Sequence, residues 1–133
     1  KKTIHKMKKQ MLLLIGIFIF SFIKSQNTEY ISIGKDQYGN SLFYKIDKTL
    51  NNEFYFWFKI EYTLENDPGM SKSEYYLHAK CDNKTEAILK YKNDWRKDDE
   101  DDGIHEATKD QIKYVQTSKN HKTYFLFEKN CKK

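Results

Sequence analysis

The sequence has few of the residues on which local enzyme motifs depend. Among 133 residues it contains one proline, five glycines and two cysteines. It has no glycine-rich phosphate loop, no Gly-x-Ser-x-Gly nucleophile turn and no Cys-x-x-Cys pair. The segment HEATK, which begins at His105, lacks a second histidine four residues on and offers no zinc pair. The sequence therefore predicts no catalytic residue, no metal site and no cofactor.

An excess of basic residues is also missing once the N-terminal segment is set apart. The whole sequence has a formal net charge of +5, from 24 basic and 19 acidic residues. Six of the lysines and none of the acidic residues lie in residues 1–25. The rest of the chain holds 18 basic and 19 acidic residues, whereas a nucleic-acid interface needs a dense basic patch. We therefore expect no nucleic-acid partner.

Residues 1–25 have the order of a secretory signal peptide. A lysine-rich start precedes an apolar run from Met11 to Ile23, and a short polar step follows. As a helix this run is about 20 Å long, shorter than the roughly 30 Å bilayer core, so an uncleaved anchor is the less favoured alternative. We expect residues 1–25 to be removed. Residues 26–133 then form a single domain without a membrane span, secreted or held in the periplasm or outer envelope.

Strand periodicity dominates the middle of the chain. In residues 53–63, EFYFWFKIEYT, large apolar side chains fall on alternate positions. The same period of two runs through residues 41–47 and 74–81. A turn at residues 82–84 leads into a further expected strand at residues 85–93, and an earlier strand is expected at residues 30–34. This pattern predicts an antiparallel meander of about five to six strands. The side chains expected on its apolar face are Leu42, Tyr44, Ile46, Phe54, Phe56, Phe58, Ile60, Tyr62, Tyr75, Leu77, Ala79 and Cys81.

The C-terminal segment favours a helix over a strand. Tyr124, Phe127 and Cys131 are spaced by three and four residues and form one helical stripe. Thr117 or Ser118 is expected to cap the start of this helix. The predicted fold class is therefore α+β, an antiparallel sheet with a C-terminal helix packed on one face.

The two cysteines are predicted to form one disulfide. A domain of about 108 residues buries only part of its surface, and two cysteines in an exported protein most simply pair. Cys81 lies on the predicted apolar face and Cys131 on the helical stripe, so a bond between them would tie the helix to the sheet. Two free buried thiols are the alternative.

The acidic run from Asp98 to Asp102 is similar to the start of an EF-hand loop, but the glutamate that ends such a loop is missing. Acidic side chains alternate before Gly103, yet the twelfth residue from Asp98 is Lys109 where a bidentate glutamate is required. We expect a solvated hairpin tip with Asp102 and Gly103 at the turn. A weaker cation site is the alternative.

The remaining candidates for catalysis have no partner nearby in the sequence. His78 is expected to point outward from a strand, and His121 to lie on the surface of the predicted helix. A disulfide-bonded Cys81 has no thiolate with which to act as a nucleophile. These residues are therefore predicted to be structural.

Five short stretches of the sequence match the pattern of one known family. They are FWFKIEY from Phe56, HAKCDNKTEAILKYKN from His78, DDGI from Asp101, IKYV from Ile112, and Cys131 after a helix-like segment. Together they resemble the surface-adhesin protein E family of secreted bacterial domains over roughly residues 53–131, with departures at VQTSKN and in the longer WRKDDEDDG run. The resemblance implies an antiparallel sheet with a C-terminal helix tied to it by a disulfide. It also implies binding to host extracellular-matrix proteins, although no binding residue transfers to this chain.

These features predict a binding protein in preference to an enzyme. The side chains Tyr55, Trp57 and Tyr76 are expected to be exposed and, with the turn residues, to contact a protein or glycan, because aromatic residues contribute much of the energy of interfaces. An extracellular-matrix protein is the partner that the resemblance implies. A small exported hydrolase or an enzyme inhibitor is the alternative, which a deep polar cleft would favour.

Overall fold

The structure is a computed structural model that describes residues 29–97 and 100–131. The predicted signal peptide, residues 1–25, lies outside the described residues. Within those two described ranges, no helix is long and apolar enough to cross a membrane.

Five long strands, joined in chain order, build an antiparallel sheet. They are β1 (Ile31–Lys35), β2 (Ser41–Thr49), β3 (Glu53–Glu61), β4 (Met70–Lys80) and β5 (Thr85–Trp95). Three two-residue strands then pair with the free edge of β5: β6 (Glu100–Asp101), β7 (His105–Glu106) and β8 (Val115–Gln116). One helix, α1 (Tyr124–Asn130), follows. The predicted α+β fold, a meander with a C-terminal helix, is confirmed, and the chain after β5 adds the short pairings along one edge.

The alternation of side chains divides the sheet into two faces. Phe54 pairs with Ala79 and Phe56 with Leu77 across β3 and β4, and all four side chains are buried. We call the face that carries them the inner face and the opposite one the outer face. Because neighbouring positions on a strand point to opposite sides, the residues between them lie on the outer face. The predicted apolar face is therefore the inner face.

The helix α1 covers one end of the inner face. Its residues Tyr124, Leu126 and Phe127 are buried. The Phe127 ring meets the Phe54 ring edge to face, with centroids 5.3 Å apart and planes at 72°. This contact and the burial of Leu126 join α1 to the strands in one hydrophobic core.

The helix begins later than the sequence predicted. Its N-cap residue is Thr123, not Thr117 or Ser118, and no side chain caps the first turn. Thr117 instead donates its backbone N–H to the carbonyl of Lys84 (2.9 Å), which holds it to the turn after β4. His121, predicted on the helix surface, lies in the turn before α1, with its Nδ1 2.8 Å from Thr123 Oγ1. Because residues 115–117 pair with the edge of the sheet, the helix begins only at Tyr124.

A disulfide joins Cys81, just after β4, to Cys131 at the C-cap of α1. The Cα atoms are 5.7 Å apart, within the range that a disulfide accepts. The predicted pairing is confirmed, and both side chains pack against the core. The bond fixes the end of the helix to the end of a central strand.

Glu86 is a partly buried carboxyl group beside the start of α1. Burial raises the pKa of the Glu86 carboxyl above 4.5, and the nearby His121, Thr117 and Thr123 only partly oppose this effect. The ionised form is therefore less stable in the folded protein than in the unfolded chain. The folded state should lose stability as the pH rises from about 4.5 through the folded-state pKa, since the unfolded chain releases this proton first.

We expect Glu86→Gln to remove this part of the pH dependence. The amide keeps an oxygen that accepts from Thr123 but never ionises, so the variant should be more stable than the wild type at pH 7 and should lose that advantage near pH 4. Urea unfolding at several pH values measures the difference. Glu65→Gln, at an exposed position, is the matched control, and an equal pH dependence in wild type and Glu86→Gln would contradict the assignment.

Candidate functional site

The outer face carries a row of packed rings, which we call the aromatic platform: Tyr55, Trp57, Tyr76 and His78. Tyr55 lies directly opposite His78 across β3 and β4, and Trp57 opposite Tyr76. The Tyr55 and His78 rings stack with centroids 4.3 Å apart, and the Trp57 and Tyr76 centroids are 4.9 Å apart. Cross-strand pairing thus builds one continuous aromatic surface from two strands.

Three lysines contact the rings of the platform, and a fourth, Lys80, contacts Tyr114, which covers His78. Lys48 lies 4.5 Å from the centre of the Tyr55 ring, and Lys90 lies 4.7 Å from that of Tyr76. Lys45 and Lys90 approach Trp57 to 6.0 and 5.5 Å, and Lys80 lies 3.9 Å from the Tyr114 ring. Among the described residues, no carboxylate forms an ion pair with any of these four. The contacts of these ammonium groups with the rings are cation–π contacts.

The sequence analysis did not predict that lysines lie beside the platform rings. For three of them, the strand register contains this information. Lys45 pairs with Trp57, Lys48 with Tyr55, and Lys90 with Tyr76 in the strand registers. Each lysine occupies an outward position of its own strand, so the correct register would have placed it beside a ring. The register itself depends on bulges in β2 and in the β4–β5 pair, which no local pattern announces.

The prediction that Tyr76 is exposed is wrong. Its side chain is only 9% exposed because Trp57, Tyr55 and Lys90 cover the ring. The Tyr76 hydroxyl donates a hydrogen bond to Asp47 Oδ2, and Asp47 occupies the bulge of β2. Burial, followed by the contact with Asp47, raises the pKa of Tyr76, so the phenol stays protonated. Tyr55 and Trp57 are half-buried, and their remaining exposed surface is the part of the predicted site that a partner can reach.

His78 faces outward, as predicted, but is covered. It is 7% exposed, and the Tyr114 hydroxyl lies 2.6 Å from its Nδ1. Its Nε2 lies 3.3 Å from a carboxylate oxygen of Glu53. Tyr114 comes from the chain after β7, so nothing near His78 in the sequence indicates this cover. The His78 ring therefore packs beneath Tyr114 and against Tyr55, where it has a structural role in the platform.

The acidic run differs from the predicted hairpin tip. Asp98 and Asp99 of this run lie outside the described residues. Asp102 and Gly103 follow β6 and lead toward β7, so they do not join β5 to β6. Asp102 Oδ1 accepts from the Asn93 backbone N–H (3.2 Å), and its Oδ2 lies 3.2 Å from His105 Nε2. Asp102 therefore holds the chain to β5. In the part of the chain that the structure describes, no three His, Cys, Asp or Glu side chains are grouped to hold a metal ion.

A second concave site lies on the inner face, at the end that α1 leaves uncovered. This inner-face cavity has a volume of about 870 Å³, and its walls include Tyr62, Tyr75, Tyr91, Glu106 and Asp67. The segment after β7 forms one side, and the ring of His105 stacks on Tyr91 with centroids 5.0 Å apart. The volume is in the range of small-molecule sites.

The polar groups of the cavity are not arranged as a nucleophile and base. The Tyr62 hydroxyl donates to Ser73 Oγ (3.2 Å), and Ser73 donates in turn to Asn93 Oδ1 (2.8 Å). His105 points its Nε2 toward Asp102 and shares no hydrogen bond with Ser73. An activated serine needs a base within hydrogen-bond reach. The described geometry therefore suits binding better than acyl transfer.

The chain shows no similarity to characterised proteins that bears on these sites. No family model matches it, and no curated protein or solved structure is significantly similar to it. The resemblance to the surface-adhesin protein E family therefore stays a prediction from short sequence stretches. The functional argument rests on the platform and the cavity.

Proposed function

We propose that this chain is a secreted or envelope-associated binding domain that contacts a protein or glycan partner through its outer face. The observation that carries the proposal is the aromatic platform with lysines beside its rings. Rings supply apolar contact area at little cost in side-chain entropy, and ammonium groups without an ion pair to a described carboxylate supply charge. The proposal keeps the adhesin-like role that the sequence resemblance implies, with an extracellular-matrix protein as one candidate partner.

Charge narrows the kind of partner that fits the platform. Lys45, Lys48 and Lys90 form no ion pair with a carboxylate among the described residues, so an acidic group of a partner can pair with them. The half-buried Trp57 lies between two of these ammonium groups. A partner with acidic groups beside an apolar surface, such as an acidic glycan or an acidic protein patch, is complementary to this arrangement.

Export is part of the same proposal. The disulfide Cys81–Cys131 is typical of oxidising compartments. The basic and apolar order of residues 1–25 indicates a signal peptide. A binding domain with these properties is placed where it meets matrix proteins, glycans or envelope components.

The alternative of a small exported hydrolase or inhibitor has one observation in its favour, the inner-face cavity. A cavity of about 870 Å³ holds a ligand of ordinary size. Its Ser73 and His105, however, are bound to different partners. We therefore favour binding over catalysis.

We expect Trp57→Ala to weaken partner binding about tenfold or more, because an aromatic residue at the centre of an interface commonly contributes at least this much. Binding of the purified protein to immobilised extracellular-matrix proteins and to acidic and neutral glycans measures the effect. Tyr38→Ala is the matched control, since Tyr38 is 65% exposed in the β1–β2 turn, away from the platform. Equal binding by Trp57→Ala and wild type to every captured partner would contradict the proposed surface.

A further inference from the structure

The inner-face cavity presents neutral polar groups in place of charges. No lysine or arginine of the described residues lines it, and the carboxyl group of Asp67 already accepts from two backbone N–H groups of its own loop. Glu106 is part of the lining, but it lies opposite Lys90 in the β5–β7 register, so its carboxyl group belongs to the outer face. The His105 Nε2 lies 3.2 Å from Asp102 Oδ2. These charges are engaged or turned away, and a neutral ligand fits the cavity better than a charged one.

A chain of hydrogen bonds in the floor of the cavity fixes one of these neutral groups. The Tyr62 hydroxyl donates to Ser73 Oγ (3.2 Å), and Ser73 donates to Asn93 Oδ1 (2.8 Å). Burial raises the pKa of the Tyr62 phenol, so this phenol keeps the proton that it donates. No described residue accepts from Asn93 Nδ2, which stays accessible to water. The chain therefore ends in an oriented N–H donor that is open to a ligand.

The rim of the cavity carries further neutral groups. Gln111 Oε1 accepts from the backbone N–H of Thr108 (3.0 Å), and no described residue accepts from Gln111 Nε2. The hydroxyl groups of Thr108 and Tyr91 likewise have no hydrogen-bond partner in the described part of the chain. Amide groups of this kind donate to neutral oxygen atoms, and hydroxyl groups both donate and accept. A purely apolar ligand would take these groups out of water without giving them a partner, which costs free energy.

Apolar surface lies beside the polar groups. Ile88 and Tyr91 are on the inward side of β5, opposite Leu77 and Tyr75, yet they are 42% and 37% exposed. The Tyr75 and Tyr91 centroids are 6.5 Å apart, with planes at 35°. A ligand that packs an apolar face against these side chains removes their surface from water. The cavity therefore suits a neutral ligand with an apolar face and a hydroxylated edge.

We propose that the inner-face cavity binds a neutral saccharide unit. A pyranose ring has C–H groups on its faces and hydroxyl groups around its edge, and each hydroxyl group donates and accepts. One face of the sugar packs against Tyr91 and Ile88, while its oxygen atoms accept from Asn93 and Gln111. The volume of about 870 Å³ is in the range of small-molecule sites. This site does not depend on the aromatic platform, because it lies on the opposite face of the sheet.

Titration of the purified protein with lactose, maltose, cellobiose and N,N′-diacetylchitobiose tests the proposal. Sorbitol is the control ligand, because it has the hydroxyl groups of a sugar without the rigid apolar face of a ring. Amide NMR shifts of Tyr91, Asn93 and Gln111 report on the cavity, and their concentration dependence gives the dissociation constant. We expect at least one disaccharide to bind with a millimolar or lower dissociation constant, about tenfold or more tightly than sorbitol. Shifts at Trp57 in place of these residues would assign the sugar to the aromatic platform and contradict the proposal.

Salt separates a neutral ligand from a charged one. Because hydrogen bonds and apolar contacts of a neutral sugar are not screened by ions, the affinity should change less than about twofold between about 0.05 and 0.5 M NaCl. The same NMR titration at the two salt concentrations measures the change. A severalfold loss of affinity at the higher concentration would mean that charge drives the binding, and would overturn the assignment to a neutral ligand.

Two variants locate the binding. Asn93→Asp keeps an oxygen that accepts from Ser73 but removes the Nδ2 donor, and should weaken binding of the disaccharide about three- to tenfold. Tyr91→Leu removes a ring and should weaken binding about tenfold. Asn120→Asp and Tyr38→Leu, at exposed positions outside the cavity lining, are the matched controls and should bind as the wild type does. Thermal unfolding confirms that each variant is folded. Equal binding of sorbitol and the disaccharides, an absence of shifts at the cavity residues, or unchanged binding by both cavity variants would overturn the proposal.

Discussion

Replacing Cys81 by serine should lower the free energy of unfolding by about 2–5 kcal/mol, as is usual when a small exported domain loses its disulfide. The bond spans 50 residues of sequence, and in the chain-entropy description a loop of that length corresponds to about 4 kcal/mol. Urea unfolding with and without reductant measures the difference. This is one of the two largest effects that we expect, because one bond fixes the whole C-terminal segment.

The design of this experiment rests on matched serine variants. Cys131→Ser should cost about as much as Cys81→Ser, and the double variant should cost little more than either, since all three lack the same bond. Reductant should destabilise the wild type and leave the double variant unchanged. A loss below about 1 kcal/mol in every variant would show that packing alone holds α1 in place.

Loss of the disulfide should destabilise the helix α1 before the strands. The strands β2, β3 and β4 keep their own backbone hydrogen bonds, whereas α1 has seven residues and no side-chain cap at its start. A helix this short is marginal in water without tertiary contacts. Amide hydrogen exchange in reduced protein should therefore accelerate in α1 more than in the central strands.

The two faces of the sheet were predictable because strand geometry leaves little choice. Once Phe54 and Phe56 occupy one side of β3, Tyr55 and Trp57 must occupy the other. Cys81 continues the inward phase of Leu77 and Ala79, and this is why its partner could be inferred from sequence. Local alternation thus accounts for the core, the inward position of Cys81 and the outward positions of all four platform residues.

The cover over Tyr76 and His78 and the inner-face cavity depend on contacts between residues that are distant in sequence. Trp57 and Lys90 cover the Tyr76 ring from neighbouring strands. A bulge in β2 brings Asp47 to the Tyr76 hydroxyl, and Tyr114 covers His78 from 36 residues away. The inner-face cavity forms only when the segment after β7 packs beside β5. Composition and periodicity carry no information about these returns, so the exposure of Tyr76 was predicted wrongly and the cavity was not predicted.

Phe127→Ala should lower the free energy of unfolding by about 3–5 kcal/mol, the usual cost of removing a buried phenylalanine. Phe127 is 1% exposed, and its ring packs edge-on against Phe54. The space left by the Phe127 ring cannot close easily, because the disulfide at Cys131 holds the C-terminal end of α1 in place. Phe125→Ala is a control in the same helix: this side chain is 37% exposed, and its loss should cost about 1 kcal/mol, mainly through the edge contact with Tyr44.

Combining Phe127→Ala with Cys81→Ser tests whether the ring and the disulfide hold the same segment. Either change alone should loosen α1 from the inner face, and once it is loose the second change has less native structure left to remove. The double variant should therefore lose at least about 1 kcal/mol less stability than the sum of the two single variants. Urea unfolding of the four proteins gives this coupling. Additive losses would mean that Phe127 stabilises the sheet core independently of the bond, and that the helix and the disulfide do not act as one unit.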